Sequence, residues 1–258
     1  MALFISFEGG EGSGKSTQAG RLVRALNDMG VPTQFIHEPG TTNLGRHIRE
    51  LIKGSPWGRE TISHEAELFL FSAARAELAA KVLSKASEES RLVIVADRYV
   101  DSTVAYQGYG RRLPLNLMDS VNRLATQGIM PDLTLLLDCP PVEALKRVGQ
   151  IQAGLFDDGD SVRRDEAGAR RFEDEPLAFH RRVRSGYLKL AGIEPERWLV
   201  IDGTKDEDAV FDSVWEAVTG MEKFRHVVEQ SESLERDRAP EHLGETTLFP
   251  LSGSQRGC

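Results

Sequence analysis

Cysteine is scarce in this sequence, and so are the other marks of a secreted or membrane-bound chain. The 258 residues include only Cys139 and Cys258, which is too few for a disulfide framework and suits a reducing compartment. No apolar run approaches the roughly 18 residues of a membrane-spanning helix. The first residues read as a strand, without a basic region followed by an apolar signal segment. We therefore expect a soluble, cytoplasmic protein with no membrane partner.

Positive charge is also in short supply. The chain carries 32 Lys and Arg against 40 Asp and Glu, a formal net charge of −8. A sequence-independent hold on nucleic acid needs a basic surface, so we expect no nucleic-acid partner. An anionic ligand would have to be held by a local positive site. The six histidines show no metal-ligand spacing.

What the sequence does contain is an alternation of short apolar runs and longer periodic segments. The apolar runs are nearly continuous, as in strands buried on both faces. In residues 177–192, Phe179, Val183 and Tyr187 recur every four residues, which indicates one helix face. The alternation predicts an α/β fold with about five parallel strands and helices on both faces. The predicted strands are residues 2–8, 33–37, 92–97, 133–138 and 198–202, and the further predicted helices are residues 16–30, 65–83 and 115–128.

Two regions interrupt this alternation. Residues 150–170 mix Gly, Asp and Arg without periodicity, which is typical of a mobile surface insertion. From about residue 221 the sequence becomes polar and charged, and we expect a poorly ordered extension there. The sequence thus predicts one domain over residues 1–220 and an extension over 221–258.

The segment FEGGEGSGKST after the first predicted strand matches the phosphate-loop pattern G-x-x-x-x-G-K-[ST]. Its glycines let backbone N–H groups converge on a phosphate, and the helix that follows adds its positive N-terminal end. Lys15 is expected to reach the β- and γ-phosphates, and the Ser16 hydroxyl to ligate Mg²⁺. The strand before it and the helix after it predict a three-layer P-loop NTPase fold that binds a nucleotide, and the resemblance described below implies that this nucleotide is ATP. The predicted ATP-binding residues are Gly9, Gly10, Glu11, Gly12, Ser13, Gly14, Lys15, Ser16 and Thr17.

A second polar block, DRYVDSTVAYQGYG at residues 97–110, follows the third predicted strand. Asp97 ends that strand, where its carboxylate could hold a Mg²⁺-bound water. Arg98 lies at the carboxyl edge of the sheet, where ligands bind in such folds. A structural ion pair is the alternative interpretation of these two residues. Asp101 or Ser102 is expected to cap a helix that begins here.

Two pairs of residues are each four apart in a predicted helix, so that each pair shares a face. Thr103 and Gln107 form one pair, and Phe71 and Arg75 form the other. An aromatic ring beside a guanidinium can stack on a nucleobase and donate to its carbonyl. For Phe71 alone, a place in the core is the alternative.

These segments together resemble the bacterial thymidylate kinases, which phosphorylate dTMP with ATP. The resemblance covers about residues 1–220, and its most specific part is the D-R-Y…S…A-Y-Q-G block, because a bare phosphate loop is shared by many enzymes. It implies dTMP kinase activity, Mg²⁺ as cofactor and a homodimer. A kinase for another nucleoside monophosphate and a non-catalytic nucleotide-binding regulator are the alternatives. The matching segments are FEGGEGSGKST, EPG (38–40), LFSAAR (70–75), DRYVDSTVAYQG (97–108), PDLTLLLDCP (131–140) and RFEDE (171–175).

The resemblance also implies roles for residues around the thymidine. Phe71 is expected to stack on thymine, and Arg75 to donate to its 4-carbonyl, where a cytosine amino group would place donor against donor. Gln107 and Thr103 are expected to contact the base edge and its surroundings. Tyr106 is expected to crowd the sugar 2′ position and favour deoxyribose.

Further roles concern the sugar, the acceptor phosphate and the adenine. By resemblance, Glu11 approaches the sugar 3′-hydroxyl, and Arg49 and Arg98 clamp the dTMP phosphate with Glu38 nearby. Two arginines on one dianion make charge-assisted, forked contacts. Without the resemblance, Arg49 reads as a solvated helix residue. The loop at residues 202–204 is expected to border the adenine of ATP.

The segment at about 147–172 is where the sequence departs from the family. In the bacterial enzymes a lid closes over ATP, supplies arginines and excludes water. Arg147 fits the first arginine of that lid, but Gly149 and Ile151 stand where further ones are expected. This departure is the one feature that favours the regulator. Beside Lys15 and Arg98, the candidates for the transition-state cation are Arg147, Arg163, Arg164, Arg170 and Arg171.

Overall fold

The computed structural model describes residues 1–53, 62–156 and 172–238, and five strands within them form one sheet in the order β2-β3-β1-β4-β5. Every neighbouring pair of strands is parallel. Each strand coincides with a predicted one to within a residue, so the predicted parallel sheet is confirmed. The strands are β1 (Leu3–Glu8), β2 (Thr33–His37), β3 (Val93–Asp97), β4 (Leu133–Asp138) and β5 (Trp198–Asp202).

Helices connect the strands. The helices predicted at 16–30, 115–128 and 177–192 are confirmed to within two residues. The helix predicted at 65–83 is an α-helix that continues as the π-helical segment Ala79–Leu83. The α-helices of the described residues are α1 (Lys15–Asp28), α2 (Asn43–Lys53), α3 (His64–Leu78), α4 (Ser84–Ala86), α5 (Val100–Thr103), α6 (Leu115–Thr126), α7 (Pro141–Phe156), α8 (Leu177–Ile193), α9 (Glu207–Gly220) and α10 (Glu222–Arg238).

Apolar residues cover both faces of the sheet. Leu3, Ile5 and Phe7 of β1 pack in one core with side chains of α1, α9 and α10. Phe4 points to the opposite face and packs in a second core with Leu78. Because strand residues alternate between faces, a strand with helices on both sides is apolar at most positions. This explains why the strands read as continuous apolar runs rather than alternating ones. The buried polar exceptions are Ser6 and Glu8 in β1 and Thr134 in β4.

The parallel strands bring polar residues to one edge of the sheet. Glu8, Asp97, Asp138 and Asp202 end β1, β3, β4 and β5, and Phe7 pairs with Asp97 as Asp138 pairs with Asp202. The segment after β1 and the block after β3 therefore lie side by side at the carboxyl edge, where ligands bind in open α/β sheets.

The predicted helix cap after β3 is wrong. Helix α5 begins at Val100 with Tyr99 at the N-cap, and no side chain caps it. Asp101 is instead buried and forms an ion pair with Arg197 at 2.7 Å, and Ser102 donates to Glu8. The Asp101 carboxylate and the Ser102 hydroxyl are both used in tertiary contacts, so neither is available to cap the helix. From Val104 to Gly110 the helix continues as a π-helical segment.

The expectation of poor order from residue 221 is wrong for the first part of that extension. Residues 222–238 form α10, which buries Phe224 and Val227 in the core beside β1. The apolar positions recur at helical spacing, but the surrounding residues are so polar that the signal is weak. Residues 239–258 lie outside the described residues. No helix in the described part of the chain is long and apolar enough to cross a membrane.

The first part of the predicted insertion at 150–170 is helical. Residues 150–156 are the last part of α7, which runs without interruption from Pro141 to Phe156. Helical backbone is therefore continuous through the start of the predicted lid. Residues 157–171 lie outside the described residues.

Candidate active site

The phosphate loop spans the turn from β1 to α1 and is shaped by its glycines. Gly9, Gly12 and Gly14 all have positive φ angles, of 145°, 71° and 93°, which side chains disfavour. A Cβ at Gly12 would also lie 2.1 Å from the carbonyl oxygen of Ala144 in α7. Only glycine allows the loop to curl this way and to lie against α7.

Lys15 opens α1 and turns back into the loop. Its side chain is buried, and Nζ donates to the carbonyl oxygen of Gly10 at 2.7 Å. Burial and the neighbouring Arg98 lower the pKa of Lys15 to about 8, although Glu11, Asp97 and Glu8 oppose this shift. The Lys15 ammonium is thus held against the backbone of the phosphate loop.

Ser16 and Asp97 meet at the start of α1. Ser16 Oγ donates to Asp97 Oδ2 at 2.5 Å, so a hydroxyl from the first turn of α1 and a carboxylate at the end of β3 lie together. These are the hard oxygen ligands that Mg²⁺ prefers, and Mg²⁺ is commonly held by one or two protein oxygens plus substrate phosphates. The described residues contain no group of three or more His, Cys, Asp or Glu suited to a metal. Ser16 and Asp97 are thus the residues here that could hold Mg²⁺.

A cavity of about 160 Å³ lies beside the phosphate loop. Eight of the nine predicted substrate-binding residues line it, and Arg75 is the exception. Sequence reasoning did not place the remaining lining residues there. The predicted residues on its walls are Glu11, Glu38, Arg49, Phe71, Arg98, Thr103, Tyr106 and Gln107, and the others are Pro39, Ile52, Lys53, Ser102, Phe172 and Glu173.

Arg98 joins the cavity to the phosphate loop. Its φ angle is 68°, a left-handed conformation that is uncommon outside glycine. Nη1 donates to the carbonyl oxygen of Gly9 at 3.1 Å, and Nη2 donates to Glu11 Oε1 at 2.7 Å and to Tyr106 Oη at 3.0 Å. Although burial raises it, Arg98 and Lys15 together lower the pKa of Glu11 to about 2. The guanidinium is therefore fixed next to a carboxylate that stays charged.

Arg75 does not lie on the cavity surface. Its side chain is 1% exposed and forms an ion pair with Glu38 at 2.6 Å. A guanidinium has five N–H groups. Here they go to Glu38 from Nε and Nη2, to Thr103 and Asn122 from Nη1, and to the carbonyl oxygen of Tyr99 from Nη2. The predicted contact with a thymine 4-carbonyl therefore has no free donor in this structure.

Gln107 is oriented by a buried carboxylate. Its Nε2 donates to Glu67 Oε1 at 2.9 Å, and Glu67 also accepts from Arg111. Because a carboxylate only accepts, Glu67 fixes which end of the amide is nitrogen. Gln107 is left with its oxygen as an acceptor on the cavity wall.

Aromatic rings close one side of the cavity. Phe172 lies 6.1 Å from Phe71 and 5.2 Å from Tyr106, measured between ring centroids. Phe179 of α8 stacks behind it at 6.3 Å. The sequence indicates Phe172 only as part of the R-F-E-D-E segment. Phe71 and Phe172 are far apart along the chain, so their contact could not be predicted from spacing.

The remaining predicted residues divide between the two ends of the site. Arg49 Nη1 donates to the carbonyl oxygen of Pro39 at 2.9 Å at the cavity end. Arg147 donates to the carbonyl oxygens of Gly203 and Thr204 at 2.8 and 3.3 Å, on the loop expected to border adenine. The candidate lid arginines Arg163, Arg164, Arg170 and Arg171 lie outside the described residues.

Comparisons with known proteins point to one family. The family model described as thymidylate kinase matches residues 7–214. A thymidylate kinase from Nitratidesulfovibrio vulgaris (strain DSM 19637 / Miyazaki F) is 44% identical over 219 residues, covering 85% of this chain and 97% of that protein. One from Dehalococcoides mccartyi (strain CBDB1) is 41% identical over 220 residues, covering 85% and 96%. The crystal structure of thymidylate kinase from Ehrlichia chaffeensis has a TM-score of 0.63 at 28% identity and covers 84% of this chain and 98% of its own.

Proposed function

Because this chain belongs to the thymidylate kinase family, we propose that it transfers the γ-phosphoryl group of ATP to dTMP, giving dTDP and ADP. The observation that carries the proposal is the position of Arg98. Its guanidinium contacts the phosphate loop at Gly9 and also lines the neighbouring cavity. A donor nucleotide on the loop and an acceptor in the cavity would then meet at one fixed cation.

The phosphate loop is the proposed donor site. Residues 9–17 supply backbone N–H groups and the positive end of α1, and Lys15 supplies charge to the β- and γ-phosphates. Arg147, which contacts the loop at Gly203 and Thr204, is proposed to border the nucleotide at its adenine end. Phosphoryl transfer needs placement and charge stabilisation more than covalent chemistry from the protein.

Mg²⁺ is the proposed cofactor. Ser16 and Asp97 are the residues that would hold it, Ser16 through its hydroxyl and Asp97 directly or through a bound water. When bound, the ion neutralises charge on the β- and γ-phosphates. The chain itself contributes the fixed oxygen pair at the start of α1.

The cavity is the proposed dTMP site. Arg98 and Arg49 are proposed to hold the acceptor phosphate, and Glu11 the sugar 3′-hydroxyl. Tyr106, whose hydroxyl is fixed by Arg98 and Glu11, is proposed to crowd the 2′ position. Phe71 is proposed to stack on the base. Two guanidinium groups suit a phosphate dianion because each can make forked, charge-assisted contacts.

Recognition of thymine is proposed to depend on Gln107 rather than on Arg75. The Gln107 oxygen, oriented by Glu67, is a matched acceptor for the N3–H donor of thymine. Cytosine presents an acceptor at N3, so acceptor would face acceptor in a buried site. A hydrogen-bonding site that leaves its partner unpaired discriminates by several orders of magnitude.

A second copy of the chain is the proposed partner. Helices α2, α3 and α6 pack side by side and expose large apolar side chains, which a homodimer would cover. The resemblance to bacterial thymidylate kinases implied such a dimer. The exposed side chains are Leu44, Leu51, Phe69, Leu115, Leu117 and Leu124.

The test is ADP formation from ATP and Mg²⁺ with dTMP, dUMP, dCMP, dGMP, AMP and CMP in parallel. We expect dTMP to be preferred, with dUMP lower by about 10- to 200-fold for its missing methyl group and dCMP lower still. Lys15→Ala is the inactive control. Binding of dTMP without turnover would favour a nucleotide-binding regulator, and equal turnover of all acceptors would contradict the base pocket.

A further inference from the structure

Glu8 is a buried carboxylate at the end of β1 that does not line the cavity. It is 0% exposed and accepts hydrogen bonds from several partners. The backbone N–H of Tyr99 donates to Oε1 at 2.7 Å, and Ser102 Oγ and Tyr187 Oη donate to Oε2 at 2.6 and 2.8 Å. A charged group removed from water in this way needs a structural or functional reason.

The partners of Glu8 are also the supports of Arg98. Arg98 Nη1 donates to Ser102 Oγ at 3.3 Å and to Tyr187 Oη at 3.4 Å, and these two hydroxyls are 2.9 Å apart. The Tyr99 N–H belongs to the peptide that follows Arg98, whose left-handed backbone is held at a φ of 68°. Glu8 therefore holds both the backbone and the side-chain surroundings of Arg98.

We infer that Glu8 is a positioning residue, and that its ionised carboxylate holds Arg98 in the orientation that receives the phosphate of a nucleoside monophosphate. This inference rests on the proposed function, in which Arg98 binds the acceptor phosphate. Glu8 acts through Ser102, Tyr187 and the Tyr99 peptide, and it has no contact with the substrate itself.

The direction of the hydroxyl protons explains why the charge matters. An ionised carboxylate only accepts, so Ser102 and Tyr187 both donate to it and present lone pairs to Arg98. A proton on Glu8 Oε2 must be donated to one of these hydroxyls, whose own hydrogen then turns away. If that hydrogen turned toward Arg98, it would face an N–H group of the guanidinium, which is also a donor. Protonation thus weakens the support of the guanidinium.

Glu8 also lies in surroundings that bring this protonation near neutrality. Burial, with a further contribution from Asp101, raises the pKa of Glu8 to about 7, although Arg98 and the hydrogen bonds oppose the shift. The charged form that orders Arg98 is then present above that pH and is lost as the pH falls through it. The titratable and charged groups around Glu8 come from several elements. Arg98 and Asp101 follow β3, and Asp101 is paired with Arg197. Lys15 belongs to α1 and Tyr187 to α8.

The test compares the wild type with Glu8→Gln, which is neutral at every pH and keeps the shape of the side chain. The dissociation constant of dTMP is measured by calorimetry from pH 6 to 8.5, together with KM for dTMP and for ATP. At pH 8 we expect Glu8→Gln to bind dTMP about tenfold more weakly, with KM for ATP little changed. At pH 6 the two affinities should converge. The dTMP phosphate takes up its own proton near pH 6, but it does so equally for both proteins.

Ser6→Ala is the matched control. Ser6 Oγ donates to Glu8 Oε1 at 3.2 Å and has no contact with Arg98, so this variant should keep the pH step of the wild type. Tyr187→Phe removes one of the two hydroxyls between Glu8 and Arg98 and should weaken dTMP binding about threefold at pH 8. If Glu8→Gln does not fold, Tyr187→Phe tests the role of Glu8 in its place.

Parallel pH curves for the wild type and Glu8→Gln would overturn the inference, because a merely structural role lowers affinity equally at every pH. An unchanged dTMP affinity in Tyr187→Phe would overturn it as well. The binding measurement does not depend on turnover. If dTMP binds but is not phosphorylated, the proposed function fails while the pH dependence of binding still decides the role of Glu8.

Discussion

At the scale of single residues, buried charged side chains behind the cavity wall hold the side chains that line the cavity. Arg75 does not line the cavity, and all five of its N–H groups have acceptors. Its partner Glu38 does line the cavity, and the two form an ion pair at 2.6 Å. Glu67 has the same relation to Gln107. In both cases a residue off the cavity surface fixes one that lines it, so substitutions at the hidden residue should change binding and stability together.

Arg75→Ala should lower the free energy of unfolding by about 3–5 kcal/mol, because it leaves the Glu38 carboxylate buried without its partner. Urea denaturation measures this change. The double variant Arg75→Met with Glu38→Gln removes both charges and should recover part of the loss. A stable Arg75→Ala protein with only a raised KM for dTMP would instead indicate direct contact with the base.

Glu67→Gln should raise KM for dTMP several-fold more than KM for ATP, since Gln107 can then turn its amide either way. Steady-state kinetics with each substrate varied measures the ratio. Glu77→Gln, on the same helix α3 and away from the cavity lining, is the matched control and should change neither constant. Equal rises in both KM values for Glu67→Gln would place its effect outside the base pocket.

At the scale of elements, the phosphate loop and α7 are packed as one unit. Gly12 lies so close to α7 that an added Cβ would meet the Ala144 carbonyl oxygen at 2.1 Å and Val148 Cγ2 at 2.9 Å. The Gly203 N–H donates to the carbonyl oxygen of Asp138, which joins the β5–α9 loop to the same region. Donor-site geometry therefore depends on a helix contact that lies outside the phosphate-loop motif.

Gly12→Ala should lower kcat/KM for ATP at least tenfold and destabilise the fold, because the loop must move away from α7 and adopt a positive φ with a side chain. Gly149→Ala is the matched control. That position lies on α7 with no atom within 4 Å of the new Cβ, so the change should stabilise the helix by about 0.5–1 kcal/mol. Kinetics and thermal unfolding of both variants measure the contrast.

Local pattern predicted the elements well and their tertiary roles poorly. The continuous apolar runs located all five strands, although only β1, β3 and β4 are buried along nearly their whole length and the edge strands β2 and β5 are partly exposed. The phosphate loop was visible because its signal is contained in one short segment. The predicted cap at Asp101 is wrong because its partner, Arg197, is distant in sequence. The ion pair between Arg75 and Glu38 could not be predicted for the same reason. The role of Phe172 depends on a ring contact that no spacing reveals.

At the scale of the whole molecule, the exposed apolar residues are not spread evenly. Phe69 on α3 is 59% exposed and Leu124 on α6 is 82% exposed, and these two helices pack against each other. The same helix α3 carries Phe71 and Arg75 on and behind the cavity wall. A dimer through this face would therefore support the acceptor site from behind.

Phe69→Asp should shift the protein from dimer to monomer in sedimentation equilibrium at micromolar concentration, because it places a charge in the apolar centre of the proposed interface. Ile193→Asp is the matched control, since Ile193 is comparably exposed, at 68%, and lies at the end of α8 rather than on α2, α3 or α6. A wild-type protein that sediments as a monomer, or a dimer unaffected by Phe69→Asp, would contradict this interface.

The contact between Gly12 and α7 has a consequence for how this chain could change over evolutionary time. The loop rests on Ala144, close to where α7 begins at Pro141, whereas the helix continues to Phe156. Residues added or removed after Phe156 would leave the contact between Gly12 and Ala144 unchanged. The contact with Gly12 and the end of α7 are thus separated along one helix, so a change of chain length after Phe156 would not alter the packing of the phosphate loop against α7.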